Sequence, residues 1–412
     1  MASSLKPRLT IFAIAASGLS AVLGTLIGAL WLTAMSGFSV PFGLEVLFPK
    51  HPYLQIYGFV YLFIMGVSYN LIPRFKNKSI SPKYAPYLAL ALFIVGLAVS
   101  IVSRLSGYLL LLIAGILHLF IVSNLVRKPQ GYLAITEYYF LASAFFLPFS
   151  LAVMAMKEAQ GTFGFSLEIL HLSLLGFPTL MIFCVELRTM HFRLAKLRES
   201  ESSAALILLI LANLLSGLSS IIMYGPLTLI SFICSLIAAL LFLRSFSIFE
   251  NLPAVMVNRM TERDKKRYVY FTRSIRFASL WLIAATATGL MAATSLVYLQ
   301  QVPFEFKDSF IHSLSVGFLG STIVGYAPIL LPSILSGHAP YKGLSLLPLY
   351  LLSAGNLIRV VGSIYTEGQF AGFWPTVLAG PFILLAMAYF MVTVHRLRGE
   401  KTQESRLVQL TK

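Results

Sequence analysis

The sequence predicts an all-α protein that crosses a membrane about twelve times. Of its 412 residues, 58% are hydrophobic and only 11% are charged, whereas soluble domains carry about 25% charged residues. The apolar residues form about twelve runs, each about 20 residues long and therefore able to cross a bilayer as a helix. No polar stretch is long enough for a separate soluble domain, so we expect one integral membrane domain over residues 1–412.

The apolar runs are numbered here from 1 to 12 along the chain. Runs 3 and 4 are separated only by a short joint around Arg104, which leaves the count open by one. Run 1 follows Lys6 and Arg8 but is too long for the apolar part of a signal peptide, so we expect it to be retained. The runs are centred near Val22, Phe63, Ile94, Ile116, Phe146, Leu180, Ala212, Ile237, Thr286, Ile323, Leu352 and Leu384.

Positive charge is concentrated on one side of the predicted membrane. The formal net charge is +16, and most lysines and arginines lie before run 1 or after an even-numbered run. Between the other runs there are only Lys50, Arg104, Lys157 and Lys307. The positive-inside rule then places both termini in the cytoplasm, in an inner (plasma) membrane. The basic loops would contact anionic lipids, so no nucleic-acid partner is expected.

Cysteine chemistry plays no part in this prediction. The two cysteines, Cys184 and Cys234, lie inside apolar runs. They provide no disulfide framework, no paired metal-ligand spacing and no motif for covalent heme attachment.

Three of the seven histidines recur at every fourth run. His51 opens run 2, His171 lies near the start of run 6, and His312 lies near the start of run 10. Each is followed by a Gly-Phe pair. Because four crossings return a chain to its starting side, this pattern predicts three four-helix units in one orientation and a pseudo-threefold arrangement. The approximate units are 1–130, 131–250 and 251–400.

The predicted orientation places these three histidines near the outer face. An ionisable side chain close to the hydrocarbon needs a partner and is therefore a functional candidate. Heme iron accepts imidazole nitrogens on both faces of the porphyrin, so two helices must present histidine at the same depth. The residues alone leave open which two of the three would share the iron. A histidine at a helix end can also simply lie at the wet interface.

Two glycines fit a flat cofactor. Gly58 follows His51 by seven residues, which puts both on one face of an α-helix, and Gly317 lies in run 10 after His312. Either would leave room for a macrocycle, although close packing of helices explains such glycines equally well.

Arg359 lies inside run 11, at the same outer level as the histidines. A buried guanidinium needs an anion, and heme propionates would bind it in a bidentate way. Pairing with Glu168 or Asp308 is the alternative. These two carboxylates precede His171 and His312 by about one helical turn, so either could orient an imidazole.

The length of the chain and the segment "HSLSVGFLGS" resemble the NnrS family, heme- and copper-containing membrane proteins of the nitric oxide response. In run 2, Tyr53 and Leu54 stand where that family has a second His and a Glu. More distantly, histidines on helices 2, 6 and 10 of a twelve-helix protein resemble the catalytic subunit of heme-copper oxidases and nitric oxide reductases. The positions that match the NnrS pattern are His51 and Gly58 in run 2, and His312, Ser313, Leu314, Ser315, Val316, Gly317 and Gly320 in run 10.

The resemblance implies a heme held by His51 and His312, with His171 left for copper as a second metal or for the free coordination position. It also implies nitric oxide or another diatomic gas as the ligand, and an electron-donor protein as a partner. Run 7 contains no histidine and run 10 contains one. The chain therefore lacks enough ligands for two hemes and a copper together, which argues against oxygen reduction.

Three functions stay open at this point. The first is an NnrS-like heme protein that binds or responds to nitric oxide. The second is a degenerate oxidase-like electron-transfer or reductase subunit, an oxidoreductase of the heme-copper type. The third is a heme-free twelve-helix transporter. Transporters usually show inverted or six-plus-six repeats, which differ from a histidine at every fourth run.

Overall fold

The computed structural model describes residues 7–41, 43–127, 134–162, 164–189, 197–336 and 344–410. These residues form twelve long helices, one at each predicted run, and the described part of the chain contains no β-strand. The helices are α1 (Pro7–Met35), α2 (Tyr53–Lys76), α3 (Ala85–Val99), α4 (Arg104–Leu125), α5 (Ala134–Ala159), α6 (Leu167–Thr189), α7 (Glu199–Ile222), α8 (Gly225–Ser245), α9 (Glu262–Leu299), α10 (304–336), α11 (Leu347–Tyr365) and α12 (Ala379–Leu410).

The all-α membrane fold is confirmed. Eleven of these helices are long and apolar enough to cross a membrane. The exception, α3, has 15 residues, which corresponds to about 22 Å of helix against about 30 Å of hydrocarbon. It ends at Val99, and α4 begins at Arg104, so the short joint predicted there separates two distinct helices.

The three helices that carry the repeated histidines are the inner helices of the bundle. Within the apolar window of each span, 100% of α2, 89% of α6 and 78% of α10 is buried, more than in any other described span. These three helices also contact one another in pairs. The division into three four-helix units stays a prediction.

Each inner helix departs from regular α-helix just after its histidine. Residues Tyr53–Tyr61 of α2 and Ser313–Gly320 of α10 are π-helical. In α6 the helix breaks at Gly176, between Leu167–Leu175 and Phe177–Thr189. Such π segments inside α-helices occur frequently at functional sites.

Candidate functional site

A cavity of about 270 Å³ lies in the half of the bundle that contains the starts of α2 and α10. Residues of α1, α2, α6, α10, α11 and α12 line it. Three residues predicted from the sequence line it together, namely His51, His312 and Arg359. Its volume is close to the lower end of the range for small-molecule and cofactor sites, about 300 Å³.

His51 is held by helix α1. Its ring Nδ1 lies 2.7 Å from the carbonyl oxygen of Gly24. A carbonyl only accepts hydrogen bonds, so Nδ1 carries the proton and donates. In the neutral ring Nε2 then keeps its lone pair, and it has no hydrogen-bond partner among the described residues. The α1 backbone comes close because residue 28 is glycine, where a Cβ would lie 2.5 Å from Cε1 of His51.

His312 is oriented in the same way, by the preceding turn of its own helix. Its Nδ1 donates to the backbone carbonyl of Asp308 over 2.9 Å and lies 3.2 Å from the Oδ1 atom of that residue. Nε2 of His312 is again without a partner among the described residues. Metal-bound histidines usually donate their other ring N–H to a carbonyl or carboxylate. Both cavity histidines have this arrangement.

Arg359 supplies positive charge to the same cavity. Its Nη2 donates to Asp308 Oδ1 over 2.7 Å, and its guanidinium carbon lies 4.5 Å from the centre of the Phe370 ring. The Nε and Nη1 atoms are buried and have no partner in the described part of the chain. Lys307 also lines the cavity. Of the two carboxylates considered from sequence, Asp308 therefore pairs with Arg359, yet most of the guanidinium donors remain available to an anion.

Comparison with known proteins gives a family and a fold. Residues 8–397 match a family described as "Domain of unknown function (DUF8744)". The chain belongs to this family. No curated protein sequence matches it.

Among solved structures, this DUF8744 protein is similar to a chain described as "Cryo-EM structure of a heme-copper terminal oxidase dimer provides insights into its catalytic mechanism". The TM-score is 0.73, the sequence identity is 14%, and the match covers 96% of this chain and 84% of that one. The DUF8744 protein thus has a fold like that of a heme-copper terminal oxidase.

The structure does not bring His171 into the cavity. Nε2 of His171 lies 2.8 Å from the Ser235 hydroxyl on α8, and its ring packs edge-on against Phe232 at 4.6 Å between centroids. The residue is fully buried. The carboxylate of Glu168 does not orient this imidazole, because its Oε1 accepts a hydrogen bond from Thr228 over 3.0 Å.

The two glycines predicted to make room for a cofactor lie against neighbouring helices. A Cβ at Gly58 would lie 2.8 Å from Ser20 of α1, and one at Gly317 would lie 2.6 Å from Trp281 of α9. Neither glycine is on the cavity wall. The structure places both at close helix contacts, the alternative considered from the sequence.

Two residues at the cavity, Gly28 and Gln55, were not predicted from the sequence. Gly28, four residues after Gly24 in α1, allows the His51 ring to approach. Gln55, four residues after His51, lines the cavity and donates from Nε2 to the Ala21 carbonyl over 3.1 Å. The sequence signal for Gly28 was its spacing from Gly24, because glycines at i and i+4 lie on one face of a helix and allow a neighbouring helix to come close.

The described residues do not fit a copper site. No group of three or more His, Cys, Asp or Glu side chains among them could hold a metal ion. His118 hydrogen-bonds to Tyr69 over 3.1 Å inside the core. His191 and His338 lie outside the described residues, as does the side chain of His395.

Proposed function

We propose that this protein binds one heme in the cavity between α2 and α10, and that His51 and His312 would hold its iron. The observation that carries the proposal is a pair of matched imidazoles. Each donates from Nδ1 to a backbone carbonyl, and each leaves Nε2 unpaired in the same cavity. Bis-histidine ligation requires two such nitrogens from two helices.

The charge of the cavity supports the same cofactor. Heme carries two propionate carboxylates, and buried anions need cations with hydrogen-bond donors. Arg359 offers the unpaired Nε and Nη1 atoms, and Lys307 makes no ion pair with a described residue. Both residues line the cavity. Asp308 neutralises only part of this charge. The cavity wall therefore keeps a net positive charge, which would suit the propionate edge of a heme.

A heme bound there would supply one-electron redox chemistry. His51 and His312 would hold the iron, with their rings oriented through Gly24 and Asp308, and the apolar walls of α1 and α12 would exclude bulk water. A heme held by two protein histidines would serve electron transfer better than the binding of a substrate. The activity we infer is therefore that of a membrane electron carrier served by a separate electron-donor protein. The similarity to a heme-copper terminal oxidase supports this class.

A second candidate function follows from the resemblance to NnrS proteins, which implies a role in the nitric oxide response. In that role the ligand would be nitric oxide or another diatomic gas. Of the two histidines, His312 is the less firmly held, because its Nδ1 bond is made within its own helix, whereas His51 is fixed by the neighbouring helix α1. In this proposal the termini are cytoplasmic and the cavity faces the outer side of the inner membrane.

The test is the visible absorption spectrum of the purified protein, oxidised and then reduced with dithionite. We expect the sharp reduced bands of six-coordinate heme in the wild type. His51→Ala and His312→Ala should each lose or broaden them, while His171→Asn should keep them. A wild-type protein without heme after expression with ample heme supply would reject the proposal and favour a transporter.

Nitric oxide separates the two candidate functions. A spectral shift of the reduced wild type when nitric oxide is added supports the gas-binding role. An unchanged spectrum, together with reoxidation by an artificial acceptor, supports electron transfer alone.

A further inference from the structure

A second cavity, of about 60 Å³, lies further along the same helices, where α2, α6 and α10 meet. Its walls are almost entirely apolar and include Val67 of α2, Ile182 of α6 and Ile323 of α10. It begins at Phe63 on α2, whereas the last α2 residue on the wall of the histidine cavity is Val60. The two cavities therefore follow one another along the centre of the bundle.

One carboxyl group lies on this apolar wall. Glu186 of α6 lines the cavity and is only 2% exposed. Its Oε1 has no hydrogen-bond partner in the described part of the chain. The other titratable side chain on the wall is Tyr326 of α10, whose ring packs against Phe271 at 5.0 Å.

Two described cations at this end of the helices, Lys76 and Arg188, are paired with a different carboxylate. Arg188 donates from Nε to Thr136 over 2.7 Å and lies 3.4 Å from Glu137. Lys76 lies 2.5 Å from the same Glu137 oxygen. These three charged residues form an ion cluster at the ends of α2, α5 and α6, and they do not line the cavity.

An ionised carboxylate with no partner in an apolar site is very costly, and such groups become neutral instead. As a neutral acid, Glu186 needs only an acceptor for its O–H. Ser68 and Thr322 line the same cavity, and each hydroxyl donates to a carbonyl of its own helix, at 2.8 Å in both cases. Their remaining lone pairs make them acceptors. The cavity, at about 60 Å³, is also larger than a single water molecule requires.

We propose that Glu186 is a proton-binding site at the centre of the bundle, which carries its proton at neutral pH and exchanges it through the end that holds the Lys76–Glu137–Arg188 cluster. Exchange through that end follows from the position of Glu186, three residues before the end of α6 at Thr189. The bound species is a proton, transferred to a carboxylate oxygen to give the neutral acid. This site does not depend on heme being present in the other cavity.

Infrared spectroscopy of the full-length protein tests the protonation directly. We expect the C=O band of a protonated carboxylic acid at neutral pH, shifted in D₂O and lost in Glu186→Gln. Glu186→Asp should keep a band at a changed frequency, and Glu168→Gln should leave the wild-type band untouched. A folded wild type without such a band, or a band that survives in Glu186→Gln, would overturn the proposal.

The exchange route has its own test, the rate at which the band shifts after transfer to D₂O. Leu71 lines the cavity towards the ion cluster, and Phe63 lines it towards the histidine cavity. We expect Leu71→Phe to slow the exchange several-fold and Phe63→Trp to leave it unchanged. The reverse result would show that the proton enters from the histidine cavity.

Discussion

The two cavity histidines and His171 occupy equivalent places in the sequence repeat but differ in what surrounds the ring nitrogen Nε2. His51 and His312 each have one ring nitrogen fixed and the other unpaired towards a cavity. His171 has Nε2 bonded to Ser235 and its ring packed on Phe232, and its Nδ1, which has no partner among the described residues, is buried in the core away from the cavity. Equivalent places in the repeat therefore do not give equivalent surroundings. What distinguishes them is whether open space or a hydroxyl group stands opposite Nε2.

The largest effect is expected from Arg359→Leu, which tests what holds the wall of the histidine cavity together. The substitution would leave Asp308 buried without its cation, at a cost of about 3 to 5 kcal/mol in the free energy of unfolding. Unfolding in detergent, followed by circular dichroism, measures it. The double variant Asp308→Asn with Arg359→Leu should recover most of the loss. If it is as unstable as the single variant, the two residues do not act as a pair.

A smaller effect is expected from Gly28→Ala, which tests whether open space defines the cavity histidines. The new Cβ would overlap the His51 ring, and such overpacking costs about 1 to 3 kcal/mol. We also expect lower heme content, measured by the absorbance per mole of protein. Gly58→Ala is the matched control, since its Cβ would meet Ser20 instead. An equal loss of heme in both variants would mean that general packing, and not the position of His51, sets heme content.

The smallest effect is expected from Ser235→Ala, which tests the structural role of His171. Hydrogen bonds between membrane helices contribute about 0.6 to 1 kcal/mol, so stability should fall by about that much with no change in the heme spectrum. A double-mutant cycle with His171→Asn isolates the pair. A spectral change in Ser235→Ala would contradict the separation of His171 from the heme site.

The sequence was sufficient to predict about twelve helices and to indicate that helices 2, 6 and 10 are related by a repeat, but it did not predict that these three are the most buried. The length of an apolar run gives the length of the membrane-spanning helix. A histidine that recurs at every fourth run indicates an equivalent position along each of those helices. Neither reports the rotation of a helix about its axis. Regular α-helical spacing would put Gly58 on the same face as His51, but Tyr53–Tyr61 is π-helical, so that spacing does not apply there.

The carboxylates show the same limit. Glu168 and Asp308 both lie about one turn before a histidine, yet only Asp308 contacts its histidine and Arg359. The Thr228 hydroxyl on α8 donates a hydrogen bond to Glu168 instead. The sequence contains no signal for this difference, because the competing hydroxyl belongs to a helix about 60 residues away.

The π-helical segments of α2 and α10 also bear on how the fold tolerates insertions and deletions. A π-helical turn contains one residue more than the α-helical turn it replaces. Each residue of an α-helix rotates the chain by about 100° around the helix axis. We expect that deleting one residue within Tyr53–Tyr61 would restore regular helix and rotate His51 away from the cavity, while the rest of α2, Leu62–Lys76, stayed in place. The direction in which His51 points relative to the bundle thus depends on the one extra residue of the π-turn. Related chains of altered length in this segment should have lost the histidine as well.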